Sequence, residues 1–190
     1  MRKWLPLGAL LVSLVAAARA DGELRGLAWS GANREMRAVV WIDAPNAPAL
    51  PAPAKSVLDQ RNLTFLPRVL VVRVGTVVEF PNNDRVFHNV FSFRDGRVFD
   101  LGMYPVGAVR VVRFDRPGLS RIFCNIHPQM AAYVLSVDTP YFAATDETGT
   151  FTIAGVPAGT YMYWAWRPGG PTLNGSFAPD TGKTLDVQWP

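Results

Sequence analysis

Cysteine is almost absent from this chain: its 190 residues include one Cys and two His. A single cysteine cannot form an internal disulfide, so Cys124 is a buried hydrophobic residue, a reactive thiol or a metal ligand. A free exposed thiol is a liability in an oxidising compartment. Whether the protein is exported therefore decides which of these roles is favoured for Cys124.

The chain also lacks an apolar run long enough to cross a membrane. The N-terminal run at residues 5–17 is shorter than the roughly 20 residues that a span requires. Two basic residues precede it, and Ala18-Arg19-Ala20 follows with the small-x-small pattern of a signal-peptidase site. We predict that residues 1–20 are a signal peptide cleaved after Ala20 and that the protein is exported to the periplasm. No Cys comes directly after this site, which argues against a lipoprotein anchor. Export to an oxidising compartment favours a ligand role for Cys124.

The chain without its signal peptide has almost equal numbers of basic and acidic residues. Three basic residues leave with it, so 16 of the 19 basic residues remain against 15 acidic ones. This balance gives no support for nucleic-acid binding. The distribution is uneven, because residues 60–121 contain ten Arg and five acidic residues, whereas residues 138–190 contain two basic and five acidic ones. The basic middle segment predicts either steering of an acidic partner or an ordinary solvated surface.

Helical periodicity is absent as well, and the segments between turns have the pattern of short strands. The β-branched runs at residues 69–74 and 76–80 favour strands, because branched side chains pack well on a pleated surface and lose rotamer freedom in a helix. Turn signals such as Arg-Pro-Gly at residues 116–118 separate the runs. We therefore predict an all-β fold of the sandwich type.

Both histidines and the cysteine lie in two short segments. Cys124, His127 and Met130 follow one another at intervals of three residues, in a predicted loop between two strands. In a tight loop this spacing can direct a thiolate, an imidazole and a thioether to one point. His88 must come from a distant strand, and we expect a sandwich whose two sheets lie roughly 10 Å apart to deliver it. One thiolate, two imidazoles and a weak axial thioether are the ligands of a blue-copper electron-transfer site.

Neighbouring residues predict how these ligands are held. Asn89 directly follows His88, where its side chain can brace the cysteine loop while backbone N–H groups bond to the sulfur. Pro128 has no N–H to compete for the site, and it stiffens the loop. Met103 is a rival to Met130 as the axial ligand, because spacing alone does not separate the two.

These segments resemble cupredoxins of the plastocyanin and amicyanin type over residues 55–138. The matching segments are Phe-Leu-Pro at 65–67, the run at 74–84, His88-Asn89 and the loop Cys-Asn-Ile-His-Pro-Gln-Met at 124–130. The short C-x-x-H-x-x-M spacing is closest to amicyanin. Asn125 departs from the pattern, since small copper proteins more often have Ser or Thr there. The resemblance implies a Greek-key sandwich that binds one type 1 copper ion through His88, Cys124, His127 and Met130.

The two ends of the mature chain resemble another family. Residues 146–153 and 155–161 are similar to the D-x-x-G-x-F-x-I and P-x-G-x-Y stretches of carboxypeptidase-regulatory-like, transthyretin-like sandwiches, and residues 26–42 are similar to their opening strands. We therefore predict a cupredoxin domain at 46–140, with a proline-rich linker at 44–54, and a second small sandwich assembled from residues 21–45 and 141–190. The whole arrangement also resembles exported proteins labelled as methylamine-utilisation proteins.

The predicted function is transfer of one electron at a time between redox partners, without enzymatic activity. His127 is the predicted exit for electrons, towards a redox protein such as a c-type cytochrome or a dehydrogenase. A multicopper oxidase needs many more histidines, and a binuclear copper centre needs a second cysteine, so residue counts exclude both. Two alternatives stay open. One is a zinc hydrolase that uses Cys124, His88 and His127, with Asp84 or Asp95 as the base; the other is a copper-binding or adhesion module whose metal is structural.

Overall fold

The computed structural model describes residues 22–31, 37–45, 47, 54–93, 95–179 and 183–190. The predicted signal peptide and most of the predicted linker lie outside these residues. The described part of the chain contains strands and no α-helix, which confirms the all-β prediction. Within it, no helix is long and apolar enough to cross a membrane.

The middle of the chain forms a sandwich, here called the central sandwich (residues 56–137). Its strands are β3 Ser56–Val57, β4 Asp59–Arg61, β5 Thr64–Leu66, β6 Val69–Arg73, β7 Val77–Pro81, β8 His88–Ser92, β9 Phe99–Tyr104, β10 Val109–Arg113, β11 Gly118–Phe123 and β12 Ala131–Val137. One sheet has the order β6-β12-β11-β8-β9, the other has the order β10-β7-β3, and β4 pairs with β5. Alternate side chains such as Phe80, Val90 and Val134 fill one core, which also contains Cys124 and Met130.

Both ends of the described chain build a second sandwich, here called the terminal sandwich. Its strands are β1 Gly22–Ser30, β2 Val39–Asp43, β13 Phe142–Ala144, β14 Thr150–Val156, β15 Tyr161–Trp166, β16 Leu173–Phe177 and β17 Leu185–Trp189. The sheets have the orders β14-β1-β17 and β13-β2-β15-β16, with a shared apolar core. The prediction of a second small sandwich built from both ends is therefore confirmed. Its resemblance to the regulatory-like family and the predicted domain boundaries stay predictions.

Strand β16 was not predicted, and packing explains why it forms. Its Asn-Gly-Ser centre has low strand preference, and the strand lies at the edge of its sheet. Gly175 pairs with Tyr163 of β15, and a Cβ at Gly175 would lie 2.7 Å from the tyrosine ring. Glycine therefore lets the ring lie directly over the neighbouring backbone, which local preference does not reveal.

A third apolar cluster joins the two sandwiches. Its buried members are Val39 and Trp166 from the terminal sandwich and Val69, Leu135 and Val137 from the central one. The ring of Tyr133 meets Trp166 edge to face, with centroids 5.2 Å apart. The terminal sandwich thus covers the outer face of β6 and β12 and stabilises the sheet from which the candidate site projects.

Candidate metal centre

The predicted ligands His88, Cys124 and His127 come together in the central sandwich. Nδ1 of His88 lies 3.8 Å from Sγ of Cys124, and Nδ1 of His127 lies 3.6 Å from the same sulfur. The two Nδ1 atoms lie 3.0 Å apart. With metal–nitrogen bonds of about 2.0 Å and metal–sulfur bonds of about 2.3 Å, ligand atoms that share one ion lie roughly 3 to 4 Å apart. The three side chains therefore fit a single metal ion.

A hairpin loop places Cys124, His127 and Met130. Phe123 at the end of β11 pairs with Ala131 at the start of β12, so residues 124–130 form the connection. The Cys124 N–H donates to the Met130 carbonyl at 3.4 Å, and the Met130 N–H donates to the His127 carbonyl at 2.9 Å. These bonds close the loop tightly and bring Cys124, His127 and Met130 to the same end of the sheet.

His88 reaches the site from a neighbouring strand. We expected it to come from the facing sheet, and this expectation is wrong: β8 lies beside β11 in the same sheet, where Phe91 pairs with Phe123. Because the two strands are antiparallel, the start of β8 lies near the end of β11. Strand pairing, and not the separation of two sheets, therefore brings His88 to Cys124.

Asp84 fixes the imidazole of His88. Its Oδ2 lies 3.0 Å from Nε2 of His88 and accepts a hydrogen bond from the Leu63 N–H at 2.7 Å, while Oδ1 accepts one from the Arg85 N–H at 2.8 Å. Burial raises the pKa of Asp84, but the backbone hydrogen bonds and His88 outweigh burial and lower this pKa from 3.8 to about 2. An ionised carboxylate only accepts hydrogen bonds, so Nε2 carries the proton and Nδ1 keeps its lone pair for a metal.

This role of Asp84 was not predicted, because its sequence context suggested only the base of a hydrolase. The available signal was a carboxylate four residues before a candidate ligand, at the end of an Asn-Asn-Asp turn. The other candidate base, Asp95, forms an ion pair with Arg121 at 3.8 Å. Both carboxylates are thus engaged in contacts other than those of a hydrolytic base.

Asn89 links the strand of His88 to the cysteine loop. Its Oδ1 accepts a hydrogen bond from the Asn125 N–H at 2.9 Å, and its Nδ2 donates to Asp100 at 3.0 Å. The amide is buried and both of its ends are bonded, so its orientation is fixed. Asn125 contributes its backbone to this contact while the residue itself is exposed, and Pro128 is also exposed in the same loop.

The two candidate axial ligands differ in burial. Met130 is 1% exposed and belongs to the same core as Cys124. Met103 is 52% exposed on β9, where it pairs with Asn89. An axial thioether must lie inside the site, so burial favours Met130.

His127 is the ligand closest to solvent. It is half-buried, whereas His88 and Cys124 are buried. The residues immediately before the two histidines, Phe87 and Ile126, are 53% and 43% exposed. Large apolar side chains therefore lie on the surface beside the ligands, an arrangement that is common where a partner protein binds.

No family model matches the chain, and no curated protein matches it significantly. Among solved structures, a purple cupredoxin from Nitrosopumilus maritimus aligns with 43% of this chain and 99% of its own, at 24% identity and a TM-score of 0.40. A reduced amicyanin variant aligns with 43% of this chain and 81% of its own, at 24% identity and a TM-score of 0.40. A copper-containing nitrite reductase from Thermus scotoductus SA-01 aligns with 52% of this chain and 25% of its own, at 26% identity and a TM-score of 0.44.

These TM-scores are all below 0.5. The sheets and their shared core define a β-sandwich. The cluster of His88, Cys124 and His127 gives this sandwich a candidate mononuclear metal centre.

Proposed function

We propose that this protein is an exported type 1 copper protein that carries single electrons between redox partners. His88, Cys124 and His127 would hold one copper ion, with Met130 as a weak axial ligand. The observation that supports this proposal is the convergence of one sulfur and two imidazole nitrogens within 3.8 Å. Thiolate and thioether sulfur favour Cu(I), and imidazole suits both oxidation states, so this donor set fits copper.

When bound, copper would supply one-electron exchange between its +1 and +2 states. The surrounding residues would keep the ligand atoms in place throughout. Asp84 fixes the ring of His88, and Asn89 ties the cysteine loop to β8. A site whose ligands move little has a small reorganisation cost, and a small cost permits fast electron transfer.

The surface near His127 suits a redox protein such as a c-type cytochrome or a dehydrogenase. The half-buried ring would be the exit for electrons, because it is the ligand nearest to solvent. Phe87 and Ile126 offer apolar area for close contact. Exposed Arg68 and Arg85 belong to the basic middle segment, which would steer an acidic partner towards this side of the molecule.

The alternatives receive less support. A zinc hydrolase needs a carboxylate base beside its metal-bound water, but Asp84 is bonded to His88 and Asp95 to Arg121. The half-buried His127 favours exchange with a partner over a purely structural metal. Export is proposed from the signal pattern at residues 1–20 alone, and the regulatory-like character of the terminal sandwich from its sequence motifs alone.

Metal loading of the mature chain tests the proposed function. With Cu(II), we expect one copper per chain and an intense blue or green colour from the thiolate-to-copper charge-transfer band, whereas the zinc-loaded control is colourless. The coloured protein should exchange electrons with cytochrome c in a stopped-flow experiment. A colourless copper complex would refute the type 1 assignment. A coloured complex without electron exchange would instead favour the copper-binding or adhesion module.

Replacing Met130 tests the axial ligand. We expect Met130→Gln to keep copper and to lower the reduction potential, because an oxygen donor stabilises Cu(II) more than a thioether does. The shift should be at least about 59 mV, the value for a tenfold change in a one-electron equilibrium. Voltammetry of the copper-loaded variant measures it, with Met103→Gln as the matched control. An unchanged potential for Met130→Gln, or a shift only for Met103→Gln, would contradict the assignment.

A further inference from the structure

A cavity of about 280 Å³ opens between the two sandwiches; we call it the tryptophan cleft. The terminal sandwich contributes Trp41, Asp43 and Trp164 to its wall, the central sandwich contributes residues 117–118 and 135–137, and residues 138–139 directly after β12 complete it. The metal ligands lie at the other end of β11 and β12. Six strand residues at about 3.3 Å each separate the two places by roughly 20 Å. The cleft is therefore distinct from the metal centre.

Strand pairing explains the position of the cleft. The cross-strand pairs on one face of β2 and β15 are Val39–Trp166, Trp41–Trp164 and Asp43–Met162. The first pair is buried in the apolar cluster between the sandwiches, the second is half-buried and the third is exposed. The two sandwiches thus diverge along this row, and the cleft lies where they separate.

The wall of the cleft combines an aromatic surface with negative charge. The indole rings of Trp41 and Trp164 are nearly parallel, with an interplanar angle of 16° and centroids 6.5 Å apart. Asp43 and Asp138 add two carboxylates at exposed positions, and no Lys, Arg or His belongs to the lining. Within the described part of the chain, neither carboxylate takes part in an ion pair.

This chemistry selects a small organic cation. Indole faces attract cations through the ring quadrupole and also pack against methyl or methylene groups. Two carboxylates in a lining that contains no Lys, Arg or His favour a positively charged ligand over a neutral one. A volume of about 280 Å³ is near the lower end of the range for ligand pockets, so the ligand is a small molecule.

We propose that the tryptophan cleft binds a small organic ammonium ion, with Trp41 and Trp164 as the aromatic surface and Asp43 and Asp138 as the counter-charges. This binding does not depend on the metal centre or on the proposed electron transfer. It gives the junction of the two sandwiches a ligand-binding role that the central sandwich alone could not have, because both tryptophans and Asp43 come from the terminal sandwich.

Titration calorimetry of the full copper-loaded mature protein tests the ligand class. The probes are choline, its neutral isostere 3,3-dimethylbutan-1-ol, and glucose. We expect choline to bind with a Kd on the order of millimolar, and the isostere to bind about tenfold more weakly because it lacks the charge. Raising the salt concentration should weaken choline binding, since the carboxylates are exposed. Absence of choline binding, equal binding of the isostere or stronger binding of glucose would overturn the proposal.

Substitutions in the tryptophan cleft test whether choline binds there. Trp164→Leu is expected to weaken choline binding about tenfold and Asp138→Asn several-fold, while Asp186→Asn, an exposed carboxylate on β17, leaves binding unchanged. The far-ultraviolet circular dichroism spectrum of each protein checks that both sandwiches are intact. If Trp164→Leu fails to fold, Asp138→Asn compared with Asp186→Asn decides the question. Equal choline affinity for these two Asp variants would refute the proposed site.

Discussion

Replacing Cys124 by serine is expected to abolish the thiolate-to-copper charge-transfer band completely. A serine hydroxyl stays protonated at neutral pH, so it offers neither the negative charge nor the soft sulfur of the thiolate. Copper binding should weaken as well, because serine would remove the one sulfur donor that stands beside the two imidazoles. Absorption and electron paramagnetic resonance spectra of the copper-treated variant measure both effects.

Asn125→Ser is the matched control for this experiment. The residue lies next to Cys124 and is exposed, and its contact with Asn89 uses the backbone N–H, which serine keeps. We therefore expect the control to retain the band at nearly wild-type intensity. A band that survives in Cys124→Ser would mean that the sulfur is not a ligand, and the electron-carrier proposal would fail.

Replacing Trp189 by alanine is expected to lower the free energy of unfolding by about 3–5 kcal/mol. Trp189 is fully buried in the core of the terminal sandwich, and its Nε1–H donates to the Pro171 carbonyl at 2.8 Å. Alanine would leave a large cavity and would leave the Pro171 carbonyl without its donor. Denaturant unfolding followed by far-ultraviolet circular dichroism measures the loss.

Met162→Ala is the control, since its side chain lies at a position that is 43% exposed. A substitution at such a site is expected to change the free energy of unfolding by no more than about 0.5 kcal/mol. A loss below about 1 kcal/mol for Trp189→Ala would show that β17 does not pack as described, because a buried indole cannot be removed at so low a cost.

Local preference predicted much of the central sandwich. The branched residues at 69–74 and 76–80 form β6 and β7 almost as expected, because their side chains favour extended backbone. Local preference does not predict strand β16. Its Asn-Gly-Ser centre is extended because Tyr163 packs over Gly175, and that contact comes from a strand several residues earlier in the chain.

The arrangement of the candidate site was also predictable only in part. The interval of three residues between Cys124 and His127 predicted their proximity, since a short hairpin loop has few conformations, and the structure places Sγ and Nδ1 3.6 Å apart. His88 lies 36 residues from Cys124, so spacing says nothing about the strand that brings it there. The contact of Asp84 with His88 also depends on how the backbone folds around residues 63 and 85.

The sequence alone determined the chemistry of the donors and the loop that carries three of them, because residue identity and short covalent spacing do not depend on the rest of the fold. Tertiary structure decided which methionine is buried, which nitrogen of His88 faces Cys124, and that two tryptophans line a cleft between two sandwiches. Burial, hydrogen bonds and cavities depend on the pairing of strands that lie far apart in the chain. The physical reason is that these interactions form only when distant segments pack together.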